Sequence, residues 1–265
     1  MTSEKEKLDL LLRALLRERP EYARIQIPET IIDKRNLLRS LMNVRMPSSL
    51  PEELMKIQDE ELSEQKREKG VVSLESIPAS PVYPRLRLWQ GDITRLEVDA
   101  IVNAANSQML GCFVPLHKCI DNAIHSAAGM ELREECSRIM SEQGHDEPTG
   151  KAKITHGYNL PAKWVLHTVG PIVYGEYPTA EDCRLLADCY RNCLKLADEK
   201  GLKSVAFCCI STGEFHFPQD KAADIAVATV REYFDKHSDS TLDAVVFNVF
   251  KYSDYYLYKN LLRYE

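Results

Sequence analysis

The stretch GDITRLEVDAIVNAAN, residues 91–106, decides the fold because it joins two strand-like runs through a Gly-Asp turn. The run before it, RLRLW, ends at this turn, and the run AIVNA continues into a second asparagine. Short apolar runs rich in β-branched residues are typical of buried strands. The stretch therefore predicts two buried strands with polar side chains at their exits.

Further runs of the same kind follow, and helical patterns lie between several of them. The strand-like runs are KWVLHTV, SVAFCCI and AVVFNVF. The helical segments are DNAIHSAAGMELREECSRIM, AEDCRLLADCYRNCLKLADEKG, PQDKAADIAVATVREYFDKH and DYYLYKNLLRY. Gly201 suits the position after a helix end, and Ser253 suits the start of the last helix. Strands and helices in this arrangement predict an α/β sandwich with a largely parallel or mixed sheet.

The first 84 residues differ from the rest, because they show helical patterns followed by a proline-containing connector. They predict a helical N-terminal extension and linker (1–84) before the α/β unit (85–265). Ser3 and Glu6 have the spacing of a capping box, and residues 70–84 carry three prolines that mark a connector. We expect the extension to pack on the rest of the chain, with a partner protein as the alternative. Its first apolar stripe consists of Leu8, Leu11, Leu12, Leu15 and Leu16.

The composition excludes several classes of protein. A net charge of -6 over 265 residues gives no broad basic surface for nucleic acid. No secretory signal or stretch of about 20 apolar residues is apparent, so we predict a cytoplasmic chain with no membrane span. In that compartment, the eight cysteines are expected to be thiols or metal ligands rather than disulfides.

The segment GCFVPLHKC, residues 111–119, has the spacing of a metal site. Cys112, His117 and Cys119 form C-x4-H-x-C, and zinc takes Cys and His ligands. Three protein ligands with an open fourth position are typical of catalytic zinc. The alternatives are a structural site closed by Asp121 or His125, and three side chains that bind no metal.

Polar residues lie where strands end and where a helix begins. Asp92, Asn103 and Asn106 can bind ligand hydroxyls and amines, or they can be ordinary turn formers. Asp121 suits the N-cap of the helix after the metal segment, and it can also orient a water or accept from a ribose hydroxyl. All four are candidates for contact with a ligand, and the alternatives stay open at this point.

The segment CCISTGEFHFP, residues 208–218, predicts an anion-binding turn. Successive backbone N–H groups around Ser211, Thr212 and Gly213 can hold a phosphate without lysine. Phe215 and Phe217 either flank a sugar or fill the core.

Together these three segments resemble the macrodomain family of ADP-ribose-binding modules, from about Leu86 to Glu265. The resemblance is carried by GDITRLEVDAIVNAAN, IDNAIHSAAG and ISTGEFHFP. It implies a three-layer α/β/α fold with a mixed, largely parallel central sheet. It also implies ADP-ribose as the ligand.

The main departure from the family pattern is GCFVPLHKC, which replaces a glycine-rich loop. This feature and the N-terminal extension resemble a zinc-dependent branch found in bacteria and fungi. That branch implies an ADP-ribosyl hydrolase that uses Zn²⁺ and reverses a sirtuin-type ADP-ribosyltransferase. The implied substrates are ADP-ribosylated proteins, with a lipoyl carrier similar to the glycine-cleavage H protein as one candidate.

The resemblance also implies roles for individual residues. Asp92 and the Ile93 amide contact the adenine, and Asn106 and Asp121 are the catalytic residues at the distal ribose. His216 stands where the family usually has glycine, and Phe217 where tyrosine is usual. The residues implied around the diphosphate are Ser211, Thr212, Gly213, Glu214 and Phe215.

The sequence thus predicts a zinc-dependent hydrolase that removes ADP-ribose from protein side chains, from Asp or Glu esters in particular. The alternative is a module that binds ADP-ribose without cleaving it and holds a structural zinc.

Overall fold

A computed structural model describes residues 4–265, in which eight α-helices and eight strands form. The helices are α1 (Glu4–Arg17), α2 (Ile31–Val44), α3 (Glu52–Lys69), α4 (Ile120–Ala128), α5 (Met130–Gln143), α6 (Ala180–Glu199), α7 (Gln219–Lys236) and α8 (Tyr252–Leu261). The strands are β1 (Val72–Ser73), β2 (Leu86–Gln90), β3 (Leu96–Glu97), β4 (Ala100–Ala105), β5 (Ala152–His156), β6 (Trp164–Val169), β7 (Ser204–Phe207) and β8 (Ala244–Val249). None of the helices in this part of the chain is long and apolar enough to cross a membrane.

Six strands form one mixed sheet in the order β2-β8-β7-β4-β6-β5. All neighbours are parallel except β5, which runs antiparallel to β6. Helices pack on the sheet, and strands such as β8 are buried along their whole length. The predicted α/β fold with a mixed, largely parallel sheet is therefore confirmed.

The structure differs from the sequence predictions at several local points. The long helix predicted after β4 is divided at Gly129, whose φ of 109° interrupts the helix and starts α5. Lys251, not Ser253, occupies the N-cap of α8; Ser253 is the second residue of that helix, and its hydroxyl donates to Gln219. β5 was not predicted, and Gly201 follows α6 with a left-handed φ of 66°, as expected.

The three helices of the extension surround a small apolar core of their own. Leu8, Leu11, Leu12 and Leu15 are each at most 2% exposed in it, and Met130 of α5 joins them. Packing of the extension on the α/β unit is thus confirmed. Ser3, the first residue of the predicted capping box, lies outside the described residues.

The connector is also packed rather than extended away from the fold. Its strand β1 pairs in parallel with β3, and Ile77 is 1% exposed within the main core. Arg87 donates to the carbonyl oxygens of Leu74 and Ile77. These contacts join the connector to β2 and β3 of the main fold.

Candidate active site

A cleft of about 970 Å³ lies where the parallel strands end at one edge of the sheet. Ligands of open α/β sheets bind at this edge. Side chains of α2 and α3 form another part of its wall, among them Arg39 and Lys69. The cleft brings together all but one of the predicted site residues: Asp92, Ile93, Asn106, Cys112, His117, Cys119, Asp121, Ser211, Thr212, Gly213, Glu214 and Phe215.

Asn106 shapes the turn that leaves β4. Its Oδ1 accepts from the backbone N–H groups of Gln108 and Met109, at 3.1 and 3.0 Å. Its Nδ2 donates to the Gly111 carbonyl at 3.2 Å. Gly111 has a φ of 79°, and a Cβ there would lie 2.9 Å from the His125 ring. Glycine is therefore required where this loop begins.

The three predicted metal ligands meet in this loop, residues 111–119, which we call the metal loop. One donor atom each from Cys112, His117 and Cys119 lies within 4.8 Å of the others. The Cys112 Sγ is 3.6 Å from His117 Nδ1. All three side chains are partly exposed and line the cleft. Asp121 and His125 are not in this group, so no fourth protein ligand completes it within residues 4–265.

Cys119 begins the helix that follows the metal loop. Its Sγ accepts from the Asn122 N–H at 3.4 Å, so this thiol is the N-cap of α4. Asp121 is the second residue of the helix instead, within its first turn, which corrects the N-cap alternative for that residue. Burial raises the pKa of Cys119 to about 12 in the metal-free chain. A coordinating metal ion deprotonates such a thiol.

Asp121 is 5% exposed and faces the cleft from beneath the metal loop. Burial raises the pKa of Asp121 to about 6, and the hydrogen bond from Asn103 offsets part of this rise. Asn103 Nδ2 donates to Asp121 Oδ1 at 2.8 Å.

Asn103 itself does not line the cleft, which corrects its predicted contact with the ligand. It is 0% exposed, because β4 is an interior strand of the sheet that is buried at all but one of its positions. There it also lies 3.2 Å from His167 Nδ1. Asn103 therefore orients Asp121 and does not contact the cleft.

The ISTGEF turn between β7 and α7 offers free backbone donors to the cleft. No hydrogen bond within the described chain uses the N–H groups of Gly213, Glu214 or Phe215. Ser211 has a left-handed φ of 65°, and its buried hydroxyl has no partner among residues 4–265. Successive free N–H groups of this kind form an anion-binding concavity. The turn thus fits the predicted diphosphate site.

The two departures from the family pattern in this turn have structural reasons. His216 has a φ of 58°, in the region that favours glycine, and histidine is among the side chains enriched there. Phe217 is 2% exposed and fills the core, whereas Phe215 lines the cleft. Glu214 Oε1 lies 3.7 Å from His117 Nε2, so the turn and the metal loop adjoin.

At the other end of the cleft, Asp92 is held by its own turn. Its Oδ1 accepts from the Thr94 N–H and hydroxyl, at 3.0 and 2.7 Å. Lys69 Nζ lies 3.6 Å from Asp92 Oδ2. Phe250, which the sequence reasoning missed, follows β8 and is 77% exposed in this part of the cleft. The sequence feature that could have identified Phe250 is an aromatic residue directly after a buried strand.

We expect Gly170→Ala to weaken ADP-ribose binding by about tenfold or more. A Cβ at Gly170 would lie 2.0 Å from the Ser211 Oγ and 2.8 Å from the Ile210 Cγ2, so Ser211 must move. Overpacking of this kind costs about 1–3 kcal/mol unless Ser211 shifts. A shift that removes about 1.4 kcal/mol of binding free energy lowers affinity tenfold. Calorimetric titration with ADP-ribose measures the effect. Gly175→Ala is the control, because its Cβ would meet nothing closer than 3.6 Å. Equal affinity in both variants would show that Ser211 does not shape the ligand site.

The fold and cleft define an α/β protein whose cleft, at the carboxyl ends of the strands, has the donors to hold a phosphorylated ligand. The family model described as "Macro domain" matches residues 102–226. A Trypanosoma brucei macrodomain in complex with ADP-ribose superimposes with a TM-score of 0.67 and 29% identity, covering 89% of this chain and 97% of that one.

Curated relatives extend the match over nearly the whole chain. A Treponema medium protein named "Protein-ADP-ribose hydrolase" is 52% identical and covers 98% of this chain and 99% of its own length. A Fusarium oxysporum protein named "Probable bifunctional ADP-ribose hydrolase/ADP-ribosyltransferase" is 45% identical, over 85% of this chain and 40% of that protein. The chain therefore belongs to the macrodomain family.

Proposed function

We propose that this chain is a zinc-dependent hydrolase that releases ADP-ribose from modified protein side chains. The 52% identity to a protein-ADP-ribose hydrolase supports ADP-ribosyl hydrolysis as its activity. The observation that carries the zinc proposal is the group formed by Cys112, His117 and Cys119 on the wall of the cleft. Two thiolates and an imidazole suit zinc, and a three-ligand set is typical of catalytic sites.

In this proposal, the chain's own residues bind and orient ADP-ribose along the cleft. Asp92 accepts from the adenine amine, and Phe250 stacks on the ring. The free N–H groups of residues 213–215 hold the diphosphate. Asn106 and Asp121 then orient the distal ribose beside the metal loop.

Bound zinc would supply Lewis-acid polarisation next to the anomeric linkage. Cys112, His117 and Cys119 would hold it with little net charge, since two thiolates offset the charge of the ion. Asp121 would contribute a buried carboxylate that Asn103 keeps in place.

We also propose biological partners for this reaction. A relative whose name combines hydrolase and transferase activities supports a role opposite an ADP-ribosyltransferase, for which we propose the sirtuin type. The lipoyl carrier substrate, the Asp or Glu ester linkage and the cytoplasmic location are proposals that rest on the sequence and the family resemblance.

Substrates with defined linkages test the proposal. We expect the zinc-loaded protein to release ADP-ribose from Asp or Glu esters at least about tenfold faster than from arginine or serine linkages. Release is followed by chromatography, and zinc by atomic emission. Tight binding of ADP-ribose with no release from any linkage would favour the binding module. Unfolding on chelation would favour a structural zinc.

A further inference from the structure

Helix α2 of the N-terminal extension lies directly against the metal loop. Arg39 Nη2 donates to the carbonyl oxygen of His117 at 3.1 Å. The Leu116 N–H donates to Asn43 Oδ1 at 3.0 Å. Two adjacent residues of the loop, one of them a proposed metal ligand, are therefore bound by a helix more than 70 residues away in the chain.

The metal loop has little hydrogen bonding of its own. Within residues 111–119, the backbone is joined by one bond, from the His117 N–H to the Val114 carbonyl at 3.2 Å. Leu116 has a left-handed φ of 57°. This conformation is unfavourable for a residue with a side chain, so it requires contacts that stabilise it. Asn43 provides such a contact directly before His117.

Arg39 also reaches the loop through a second side chain. Its Nε and Nη2 donate to Asn122 Oδ1 at 3.2 and 2.7 Å. Asn122, which is 0% exposed, donates from Nδ2 to the Val114 carbonyl at 2.9 Å. The guanidinium group therefore joins the start of α4 to both ends of the tight Val114–His117 turn.

Helix α2 is fixed firmly enough to serve as a support. Arg133 of α5 is 5% exposed and donates to the carbonyl oxygens of Met42 and Arg45, at 2.8 and 2.6 Å, at the end of α2. The same side chain donates to the Leu110 carbonyl at 2.6 Å and lies 4.3 Å from the Phe113 ring. One buried arginine thus holds both α2 and the start of the metal loop.

We propose that α2 is a structural part of the metal site, with Arg39 and Asn43 as positioning residues that keep His117 beside Cys112 and Cys119. This inference rests on the proposed zinc function. It assigns to the N-terminal extension the task of ordering the metal loop. Side chains that orient metal ligands typically contribute about 10–100-fold to metal affinity.

The test measures metal affinity in full-length variants. We expect Arg39→Ala and Asn43→Ala each to raise the zinc dissociation constant, measured by chelator competition, by about 10–100-fold. Arg39→Lys keeps one donor group and is expected to recover part of the affinity. The absorption spectrum of the cobalt-loaded protein should change in the alanine variants, because their ligand geometry is less fixed.

Thr30→Ala is the matched control on the same helix. The Thr30 hydroxyl oxygen accepts from the Asp33 N–H at 3.1 Å as the N-cap of α2, far from the metal loop. This variant should lower the melting temperature and leave the zinc dissociation constant unchanged. An equal loss of zinc affinity in Thr30→Ala would overturn the positioning role, since it would show an effect of helix stability alone.

Amide hydrogen exchange of the metal-free proteins separates this inference from the zinc proposal. Arg39→Ala and Asn43→Ala should speed the exchange of the Leu116 and His117 amides, whereas Thr30→Ala should not. A wild-type protein that binds no zinc would overturn the proposed function. Unchanged loop exchange and unchanged zinc affinity in both alanine variants would overturn the role of α2.

Discussion

Replacing Cys119 with serine is expected to remove bound zinc and to slow the release of ADP-ribose by roughly 10²–10³-fold. A serine hydroxyl is a much weaker ligand for zinc than a thiolate. Lewis-acid stabilisation by a metal amounts to several kcal/mol, and about 1.36 kcal/mol corresponds to a factor of ten in rate. The loss should therefore exceed the effect of any single hydrogen bond in the cleft.

The measurement combines zinc content with the rate of ADP-ribose release from a modified protein. Cys183→Ser is the matched control, because Cys183 is a partly buried thiol on α6 that belongs to no group of described residues with the geometry to hold a metal ion. It should keep both zinc and activity. Calorimetry with free ADP-ribose shows whether the cleft of Cys119→Ser is intact. If this variant has no zinc and releases ADP-ribose at the wild-type rate, the zinc mechanism is wrong.

Much of the fold is predictable from local sequence, because its signals depend on near neighbours in the chain. The apolar runs of β2, β4, β6, β7 and β8 and the glycine after α6 are such signals. The grouping of Cys112, His117 and Cys119 is also local, since all three lie in one short loop. The spacing keeps the three side chains near one another, and the contacts of the loop with α2 fix their arrangement.

Other features depend on tertiary packing and leave no local signal. The burial of Asn103 depends on its packing against Asp121 of α4 and His167 of β6. The contact of Arg39 with the His117 carbonyl joins residues 78 positions apart. The segment 208–218 predicts an anion-binding turn, but which N–H groups stay free, those of residues 213–215, depends on the path of a turn whose Ser211 and His216 are left-handed. No periodicity in the sequence encodes these arrangements.

The role of Asp121 can be separated from metal binding by the variant Asp121→Asn. We expect this change to slow ADP-ribose release by roughly 10²-fold or more. This is the lower end of the rate enhancement that a positioned proton-transfer group typically provides. Asparagine keeps the shape and can still accept the hydrogen bond that Asn103 donates at 2.8 Å. It replaces one carboxylate oxygen with an amide donor, so a water or ribose hydroxyl loses its acceptor.

Zinc content should stay unchanged in Asp121→Asn, because the group of three metal donors does not include Asp121. Asp224→Asn, on the exposed face of α7, makes the same change of charge away from the cleft and should leave release unaffected. Loss of zinc together with activity in Asp121→Asn would instead identify Asp121 as a fourth ligand. Wild-type release would reduce Asp121 to a structural residue, leaving Asn106 and the proposed metal as the groups that act on the distal ribose.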